Sequence, residues 1–216
     1  MTKLRRDGHR ARQAEATRAA IARAARALFA ERGYAATSME AISGAAAIPL
    51  PTIYSAFGTK PAILEEVRRT WVLESQVVDL HAEAIRLPDS RQKLDLAAHW
   101  TRRQFDTGHD VIAVYQEVAR ALPAVAATWR QAMAEREAGI GQLLAGLGDD
   151  LRGGLGARGA LDVYIALTVP EIYRTLVVDR SWSSDRYESW LAATLKSSLL
   201  EVPARAASSR RPAGGG

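Results

Sequence analysis

The sequence predicts an all-α protein of about nine helices, because apolar residues recur at helical spacing along most of its length. Ile21, Ala25 and Leu28, for example, share one face of the first predicted helix. Proline and glycine fall mainly between the periodic segments, and runs with the strict alternation of a β-strand are scarce. With 216 residues, of which 48% are hydrophobic, the chain is long enough to bury a sizeable core.

The first two helices have clear boundary signals. The first is predicted over 14–32, and Gly33 suits the position that follows a helix end. Thr37 and Glu40 have the spacing of a capping box, in which each side-chain oxygen accepts a hydrogen bond from a backbone N–H at the start of a helix. A second helix is therefore predicted to begin at Thr37.

The third helix is short and is followed closely by a fourth. Pro51 suits the first position of a helix, where the backbone N–H needs no partner, so a helix is predicted over 51–57. Gly58 ends it. Pro61 lies in the first turn of a fourth helix, which is expected to run to about Leu87.

Helical periodicity continues through the rest of the chain. Five further segments are predicted: 90–107, 109–121, 124–147, 158–180 and 185–201. Pro170 lies inside one of them and is expected to kink it, which would provide a wall for a cavity.

Positive charge is concentrated at the N-terminal end. Residues 1–70 contain twelve Lys or Arg and six Asp or Glu, a net charge of +6, whereas residues 71–216 carry −1. Such a basic end favours a polyanionic partner, although a solvated charged face explains the same pattern. The segment 1–13 is predicted to be a flexible basic arm, which enters a minor groove, lies on phosphates or is simply a tail.

The third helix is too short to be stable by itself, so its neighbours must hold it. Ile53 and Phe57 are predicted to close a small core with the first two helices, which leaves an outward face that fits a DNA major groove. That face consists of Leu50, Pro51, Thr52, Tyr54 and Ser55. Its hydroxyl groups can bond base edges or phosphates, and Lys60 at the start of the fourth helix can meet a phosphate.

One set of residues in this region has a specific spacing. Its members are Ile21, Ala25, Leu28, Phe29, Gly33, Tyr34, Thr37, Ile42, Ala46, Thr52, Ile53, Tyr54, Phe57 and Lys60. With them, residues 17–67 resemble the N-terminal helix-turn-helix of the tetracycline-repressor (TetR) family of bacterial regulators; the later helices match that family only in number, length and order. The resemblance implies that Thr52, Tyr54 and Lys60 contact DNA and that Thr37 contacts a phosphate.

Three positions depart from the pattern of that family. Ala47 stands where glycine is usual in the turn, and a left-handed backbone there would cost alanine on the order of 1 kcal/mol relative to glycine. Pro49 replaces a frequent serine, and Ala56 replaces a common histidine that would contact a phosphate. These departures concern the operator sequence and the angle of the recognition helix, not the fold.

The last two long helices are predicted to form a dimer interface, as the resemblance implies. The eighth helix is apolar over most of its circumference, as expected of a helix that is central in the core or shared with a partner. The predicted interface residues are Leu161, Ile165, Ile172, Leu176, Trp190, Leu191 and Leu195. A two-fold dimer would hold two recognition helices about one turn of DNA apart, roughly 34–36 Å, and so require a palindromic site.

A small-molecule cavity is predicted among helices four to eight. The aromatic and polar candidates for its lining are Trp71, Trp100, Gln104, Tyr115, Trp129, Met133 and Tyr173. Each of them is alternatively an ordinary core residue. The sequence does not identify the small-molecule effector.

No pattern for catalysis, a metal or a cofactor is found. Gly154, Gly156 and Gly159 have the G-x-G-x-x-G spacing, but they follow a helix instead of a strand, so a loop is the better interpretation. Cysteine is absent, which excludes disulfides and thiol nucleophiles. No run approaches the roughly 18 apolar residues of a membrane span, and the basic start lacks the apolar run of a secretory signal. We expect a cytoplasmic protein that is not an enzyme.

These features predict a DNA-binding transcriptional regulator, most simply a ligand-responsive repressor that binds a palindromic operator as a homodimer at the bacterial nucleoid. The predicted parts are a basic arm (1–13), a helix-turn-helix domain (14–60), a ligand-binding and dimerisation domain (61–202) and a disordered tail (203–216). The alternative is an all-α small-molecule-binding protein whose helix-turn-helix has lost operator specificity. A membrane-surface protein that uses the basic arm is a third hypothesis.

Overall fold

The structure, a computed structural model, describes residues 2–201 and confirms an all-α fold for them. Ten helices follow one another in this range: α1 (Thr2–Arg32), α2 (Met39–Ala46), α3 (Leu50–Phe57), α4 (Lys60–Ser75), α5 (Val77–Arg86), α6 (Ser90–Ala121), α7 (Pro123–Ala145), α8 (Gly156–Leu167), α9 (Pro170–Tyr173) and α10 (Ser184–Leu199). A 3-10 turn, Gly148–Asp150, follows α7, and a π-helical segment, Arg174–Asp179, extends α9.

Helices α1 to α4 enclose a small N-terminal core. Both α1 and α3 pack against α2 and α4. The buried side chains include the apolar set predicted from periodicity: Ile21, Ala25, Leu28, Phe29, Tyr34, Ile42 and Ile53. Gly33 (φ 79°) and Gly58 (φ 71°) end α1 and α3 as predicted, with left-handed dihedrals that glycine adopts at little cost.

Helix α6 is the centre of the remaining body, where it packs against α4, α5, α7 and α10. Two helices were predicted in its place, 90–107 and 109–121. The break at Gly108 is confirmed as a kink with non-helical dihedrals (φ −156°, ψ 21°), but the two halves form one helix. The kink at Pro170 is also confirmed: α8 ends at Leu167, and Val169 is extended (φ −71°, ψ 143°), as expected for a residue before proline.

Two helix boundaries differ from the prediction. Helix α1 begins at Thr2, so residues 2–13, predicted to be a flexible arm, continue the helix; this stretch has no proline and contains four arginines, a good helix former. Helix α4 ends at Ser75 and not near Leu87, because Gln76 adopts left-handed dihedrals (φ 56°). The sequence has no glycine at this position that would have predicted the break. The tail predicted over 203–216 lies outside the described residues.

Two further findings concern residues 2–201. Every helix in this range falls short of the combined length and apolar character that crossing a bilayer requires. Within the same residues, His, Asp and Glu side chains nowhere gather in a group of three that could hold a metal ion.

The turn between α2 and α3 contains a strained alanine. Ala47 adopts left-handed dihedrals (φ 53°, ψ 38°), a conformation that costs alanine roughly 1–2 kcal/mol of free energy and that glycine adopts without this cost. We therefore expect Ala47→Gly to raise the free energy of unfolding by up to about 1 kcal/mol, because glycine's greater freedom in the unfolded chain offsets part of the gain. Urea unfolding monitored by circular dichroism measures this change.

The matched control is Ala45→Gly, which makes the same substitution at an exposed position inside α2. A glycine in a helix interior destabilises, so this variant should lose about 0.5–1 kcal/mol. The strain interpretation fails if Ala47→Gly is destabilised as much as Ala45→Gly.

Candidate nucleic-acid interface and internal cavity

The outward face of α3 is exposed as predicted. Pro51, Thr52, Tyr54 and Ser55 are all exposed, and the Tyr54 side chain is the most prominent apolar group at 48% exposure. Leu50 is half-buried at the start of the helix. One short helix thus offers hydroxyl groups and an aromatic ring to a partner, while its opposite side is fixed in the core.

Arg18 of α1 holds the end of this helix. Its Nη1 donates to the carbonyl of Ala56 at 2.7 Å, and its guanidinium lies 4.1 Å from the centre of the Phe57 ring. The Ala56 carbonyl belongs to the last turn of α3, where carbonyls lack helical partners and a positive charge is favourable. Arg18 therefore supplies a hydrogen-bond donor from outside the helix to a carbonyl at the C-terminal end of α3.

Arg18 also ties α1 to α4 through a buried carboxylate. Its Nη2 donates to Glu66 Oε2 at 2.9 Å, and Arg69 donates to Glu66 Oε1 at 2.5 Å. Arg69 reaches back to Glu15 of α1 at 2.7 Å. The hydrogen bonds from Arg69 and Arg18 hold the pKa of Glu66 below its usual value. The carboxylate is thus charged and paired at the junction of α1, α3 and α4.

The predicted phosphate contact of Thr37 is wrong for this conformation. Thr37 is 1% exposed, and its Oγ1 donates inward to the carbonyl of Gly33 at 2.8 Å. The predicted capping box is also wrong, since the N-cap of α2 is Ser38, whose Oγ accepts from the N–H of Ala41 at 3.1 Å. The hydroxyl of Thr37 closes the turn after α1 and has no route to a ligand.

Lys60 is largely occupied within the protein. Its Nζ donates to the carbonyls of Tyr34 at 2.8 Å and Thr37 at 2.7 Å, and it lies 4.3 Å from the centre of the Tyr34 ring. Partial burial lowers the pKa of Lys60. The side chain therefore fixes the start of α4 to the turn between α1 and α2, and a phosphate contact through its remaining N–H stays a prediction.

The body contains a cavity of about 240 Å³ between α4, α6, α7 and the α8–α9 break. Four predicted residues line it: Trp71, Gln104, Trp129 and Met133. The lining also contains Pro170, in agreement with the idea that the kink forms a cavity wall. Two arginines that sequence reasoning did not select, Arg68 and Arg136, complete its polar part.

A second cavity, of about 250 Å³, adjoins the first. The two share Gln104, Arg68 and Arg136, so they form neighbouring compartments. Trp100 lines the second compartment and not the first. His81 is also there, with its Nε2 at 2.8 Å from the carbonyl of Gly139.

Two predicted cavity residues are core residues instead. The hydroxyl of Tyr115 donates to Glu65 Oε2 at 2.9 Å, and its ring stacks on that of Trp129 with a centroid distance of 5.2 Å. The hydroxyl of Tyr173 donates to Asp106 Oδ1 at 2.5 Å; burial and this carboxylate raise the pKa of Tyr173 to about 12. Both hydroxyls are thus satisfied away from the cavity, which neither residue lines.

The predicted dimer residues divide between the core and the surface. Leu191 and Leu195 are fully buried inside one protomer, so their assignment to the interface is wrong. Ile165 lines the first cavity, and Leu161 packs near Gly141 of α7. The remaining three, Ile172, Leu176 and Trp190, line a shallow, mostly apolar groove. Three residues that were not predicted complete its lining: Leu167, Glu171 and Thr175.

Trp71 joins the cavity to the kink in α6. Its Nε1 donates at 3.0 Å to the carbonyl of Gln104, the group that an unbroken helix would pair with the N–H of Gly108. A Cβ added to Gly108 would lie 2.0 Å from Trp71 Nε1, so only glycine leaves room for the indole. The indole N–H of Trp71, a residue of α4, therefore replaces a backbone hydrogen-bond donor of α6 at the edge of the cavity.

Comparison with known proteins identifies the N-terminal part. Residues 11–67 match the model of the bacterial regulatory proteins of the tetR family. The N-terminal domain of the chain is that of the TetR family. Over 99 residues the chain is 30% identical to the HTH-type transcriptional repressor KstR2 of Rhodococcus jostii (strain RHA1). That match covers 45% of the chain and 47% of the relative, so it spans about half the length of each.

Solved structures extend the likeness of fold beyond the TetR-family domain. A protein of Mesorhizobium loti MAFF303099, assigned to the TetR-family transcriptional regulators, has a TM-score of 0.69 at 17% identity, over 87% of this chain and 98% of its own. A transcriptional regulator of Saccharomonospora viridis, in complex with choline, has a TM-score of 0.69 at 20% identity, over 87% of this chain and 100% of its own. The helical body therefore has the architecture found in these regulators.

The sequence does contain a signal for two of the three arginines that were missed, Arg18 and Arg136. Arg18 precedes Ile21 and Ala25 by three and seven residues, so it lies on the apolar face of α1 of the TetR-family domain. Arg136 is likewise in register with Trp129 and Met133 on α7. An arginine on an apolar helix face needs a partner inside the protein, a bound ligand or an exit to solvent.

We expect Arg18→Gln to lower the free energy of unfolding by about 1–3 kcal/mol, because it removes a charged donor from the Ala56 carbonyl and one of two partners from the buried Glu66 carboxylate. Urea unfolding is the measurement. The control is Arg23→Gln, an exposed arginine on the same helix, which should change stability by less than about 0.5 kcal/mol. Equal effects of the two substitutions would show that Arg18 does not hold the domain together.

Proposed function

We propose that the protein is a DNA-binding transcriptional regulator, and specifically a ligand-responsive repressor that works as a homodimer in the bacterial cytoplasm, on the nucleoid. The observation that carries the proposal is the exposed face of α3 within a TetR-family domain, held at its end by Arg18. The direction of regulation follows the Rhodococcus relative, which is named a transcriptional repressor.

In this proposal α3 enters the major groove. Thr52 and Ser55 are exposed hydroxyls that can bond base edges, and the Thr52 methyl can contact a thymine methyl. Tyr54 reaches a phosphate. Arg10 and Arg12 are exposed on α1 and supply further positive charge, so each phosphate that they neutralise would add about 0.9 to the salt slope of binding.

Dimer formation would use the apolar groove on α8, α9 and α10. Leu167, Ile172, Leu176 and Trp190 line it, and Val178 nearby is 55% exposed. Apolar side chains gathered on one surface are more often an interface than a solvated face. A two-fold axis through this groove would present two copies of α3 to a palindromic operator.

A ligand in the cavity would act through α4. That helix contributes Trp71 to the cavity lining and begins at Lys60, which fixes the turn between α1 and α2. The related fold of the Saccharomonospora regulator was solved with a small molecule, choline. A ligand changes DNA binding only if its affinity differs between the two conformations, so it must favour one position of Trp71 and α4.

A second function is favoured by the turn before α3. Ala47 is strained, Pro49 gives α3 no side-chain cap, and Ala56 offers no polar group. A small-molecule-binding protein whose domain has lost operator specificity would have these features. It would bind DNA weakly, with strong salt sensitivity and no sequence preference.

A mobility-shift assay on the DNA next to the protein's own gene separates the two functions. A repressor should bind one fragment in the presence of excess nonspecific competitor and protect a palindrome in footprinting. If the excess nonspecific competitor abolishes binding to every fragment, the second function is supported. If a folded protein protects no palindrome even at low salt, the regulator proposal is rejected.

We expect Tyr54→Phe to weaken binding to the protected site about 5- to 10-fold, since it removes one hydroxyl donor worth about 1 kcal/mol and leaves the exposed ring in place. Quantitative mobility shifts measure the change. The control is Ser189→Ala on α10, which removes an exposed hydroxyl far along the chain and should leave affinity unchanged. Tyr54 has no role in binding if its substitution also leaves affinity unchanged.

We expect Leu176→Glu to convert the dimer to a monomer at micromolar concentration, because it places a charge in an apolar interface. Size-exclusion chromatography with light scattering gives the mass, and operator affinity should fall with it. The control is Leu73→Glu, which adds the same charge at a leucine of α4 that is 62% exposed. A Leu176→Glu protein that remains dimeric would exclude this groove as the interface.

A further inference from the structure

The cavity contains an arginine without an acidic partner. Arg136 of α7 is half-buried and lines both compartments. Its Nη2 donates to Thr168 Oγ1 at 2.7 Å and to the carbonyl of Thr168 at 3.4 Å. No Asp or Glu within residues 8–201 forms an ion pair with it.

Three other partly buried arginines are neutralised by a carboxylate, whereas Arg103 donates to the backbone carbonyls of Ser75 and Glu74. Arg68, the second arginine of the cavity, pairs with Glu65 at 2.6 Å. Arg26 pairs with Asp110 at 2.7 Å, and Arg102 pairs with Glu188 at 2.7 Å. Arg136 therefore contributes a positive charge to the cavity that no ion pair with a described residue neutralises.

The apolar surroundings make this charge costly. Trp71, Phe105, Ile112 and Ile165 give the lining an apolar character. Burial lowers the pKa of Arg136, in the direction expected when a cation loses hydration. An anion placed beside the guanidinium would interact more strongly here than in water, because the local dielectric constant is low.

Capping of α8 explains only part of the arrangement. Thr168 is the C-cap residue of α8, and a cation near the last carbonyls of a helix is favourable. That role uses Nη2 alone, however. Nε and Nη1 have no hydrogen-bond acceptor among the described residues. Two carboxylates also line the compartments, Glu137 the first and Glu135 the second, but both are exposed and neither forms an ion pair with Arg136; the charge of Glu137 acts on the guanidinium only through space.

We propose that the effector of this protein is an apolar small molecule that bears a carboxylate, and that Arg136 binds this group while Trp71 and Trp129 flank the apolar body. The proposal rests on the ligand-responsive function proposed above. A single carboxylate matches the one arginine of the lining that has no ion pair, and its two oxygens fit the donor pair of a guanidinium. A neutral ligand would leave the guanidinium of Arg136 without an anionic partner.

Pairs of probes that differ only in charge test the proposal. Titration calorimetry with the full-length protein compares 1-naphthaleneacetate with 1-naphthaleneacetamide, and decanoate with decanamide. We expect at least one acid to bind about 10-fold or more tightly than its amide, because a charge-assisted pair in an apolar site is worth that factor. Arg136→Gln should reduce the preference to less than about 3-fold and leave the affinity of the amide unchanged. Arg130→Gln, an exposed arginine of α7, should retain the full preference.

The proposal is overturned if no acid binds the wild-type protein more tightly than its amide, a comparison that does not depend on the folding of any variant. It is also overturned if folded Arg136→Gln, checked by its melting temperature, keeps the preference. Failure of the regulator proposal is distinguishable, because the mobility-shift assay scores DNA binding without a ligand. An acid preference in a protein that protects no operator would uphold this inference and reject only the regulator.

Discussion

The fold depends on holding α3 in place, because eight residues cannot form a stable helix alone. One guanidinium supplies much of that support: Arg18 reaches the Ala56 carbonyl, the Phe57 ring and the Glu66 carboxylate. These contacts join the end of α3 to helices on both sides of it. The exposed hydroxyls of α3 could serve the proposed recognition of DNA only because the opposite side of the helix is fixed in this way.

The turn before α3 explains how alanine replaces glycine there. Ala47 is left-handed, but hydrogen bonds close the turn around it: Ile48 N–H donates to the carbonyl of Ser43, and Ser43 Oγ donates back to the carbonyl of Ile48 at 2.7 Å. Such reciprocal bonds fix the backbone path regardless of which residue occupies the strained position. The strain is therefore a local cost in stability, and the position of α3 is retained.

Sequence rules succeeded where the cause was local and failed where it was tertiary. The stop at Gly33 and the break at Pro170 follow from the dihedrals that these residue types prefer, and both were found. Periodicity located the apolar faces of the last helices, but it does not distinguish a face buried within the same protomer from one on its surface. Leu191 is buried by other helices of the protomer, whereas Leu176 lines a surface groove. The role of Arg136 likewise depends on Thr168, which lies far away in sequence.

The cavity lies between the two parts that a ligand would have to connect. Trp71 belongs to α4, which begins at the Lys60 contact with the TetR-family domain, and its indole occupies the space left by Gly108. Arg136 is held by Thr168 at the end of α8, next to the surface proposed for the dimer. A molecule that contacts both side chains would therefore bridge α4 and α8. Because there is no free space between Gly108 and the indole, Trp71 and α6 would have to move together. Since Trp71 belongs to α4 and this contact is rigid, a displacement caused by the ligand would be transmitted to α4.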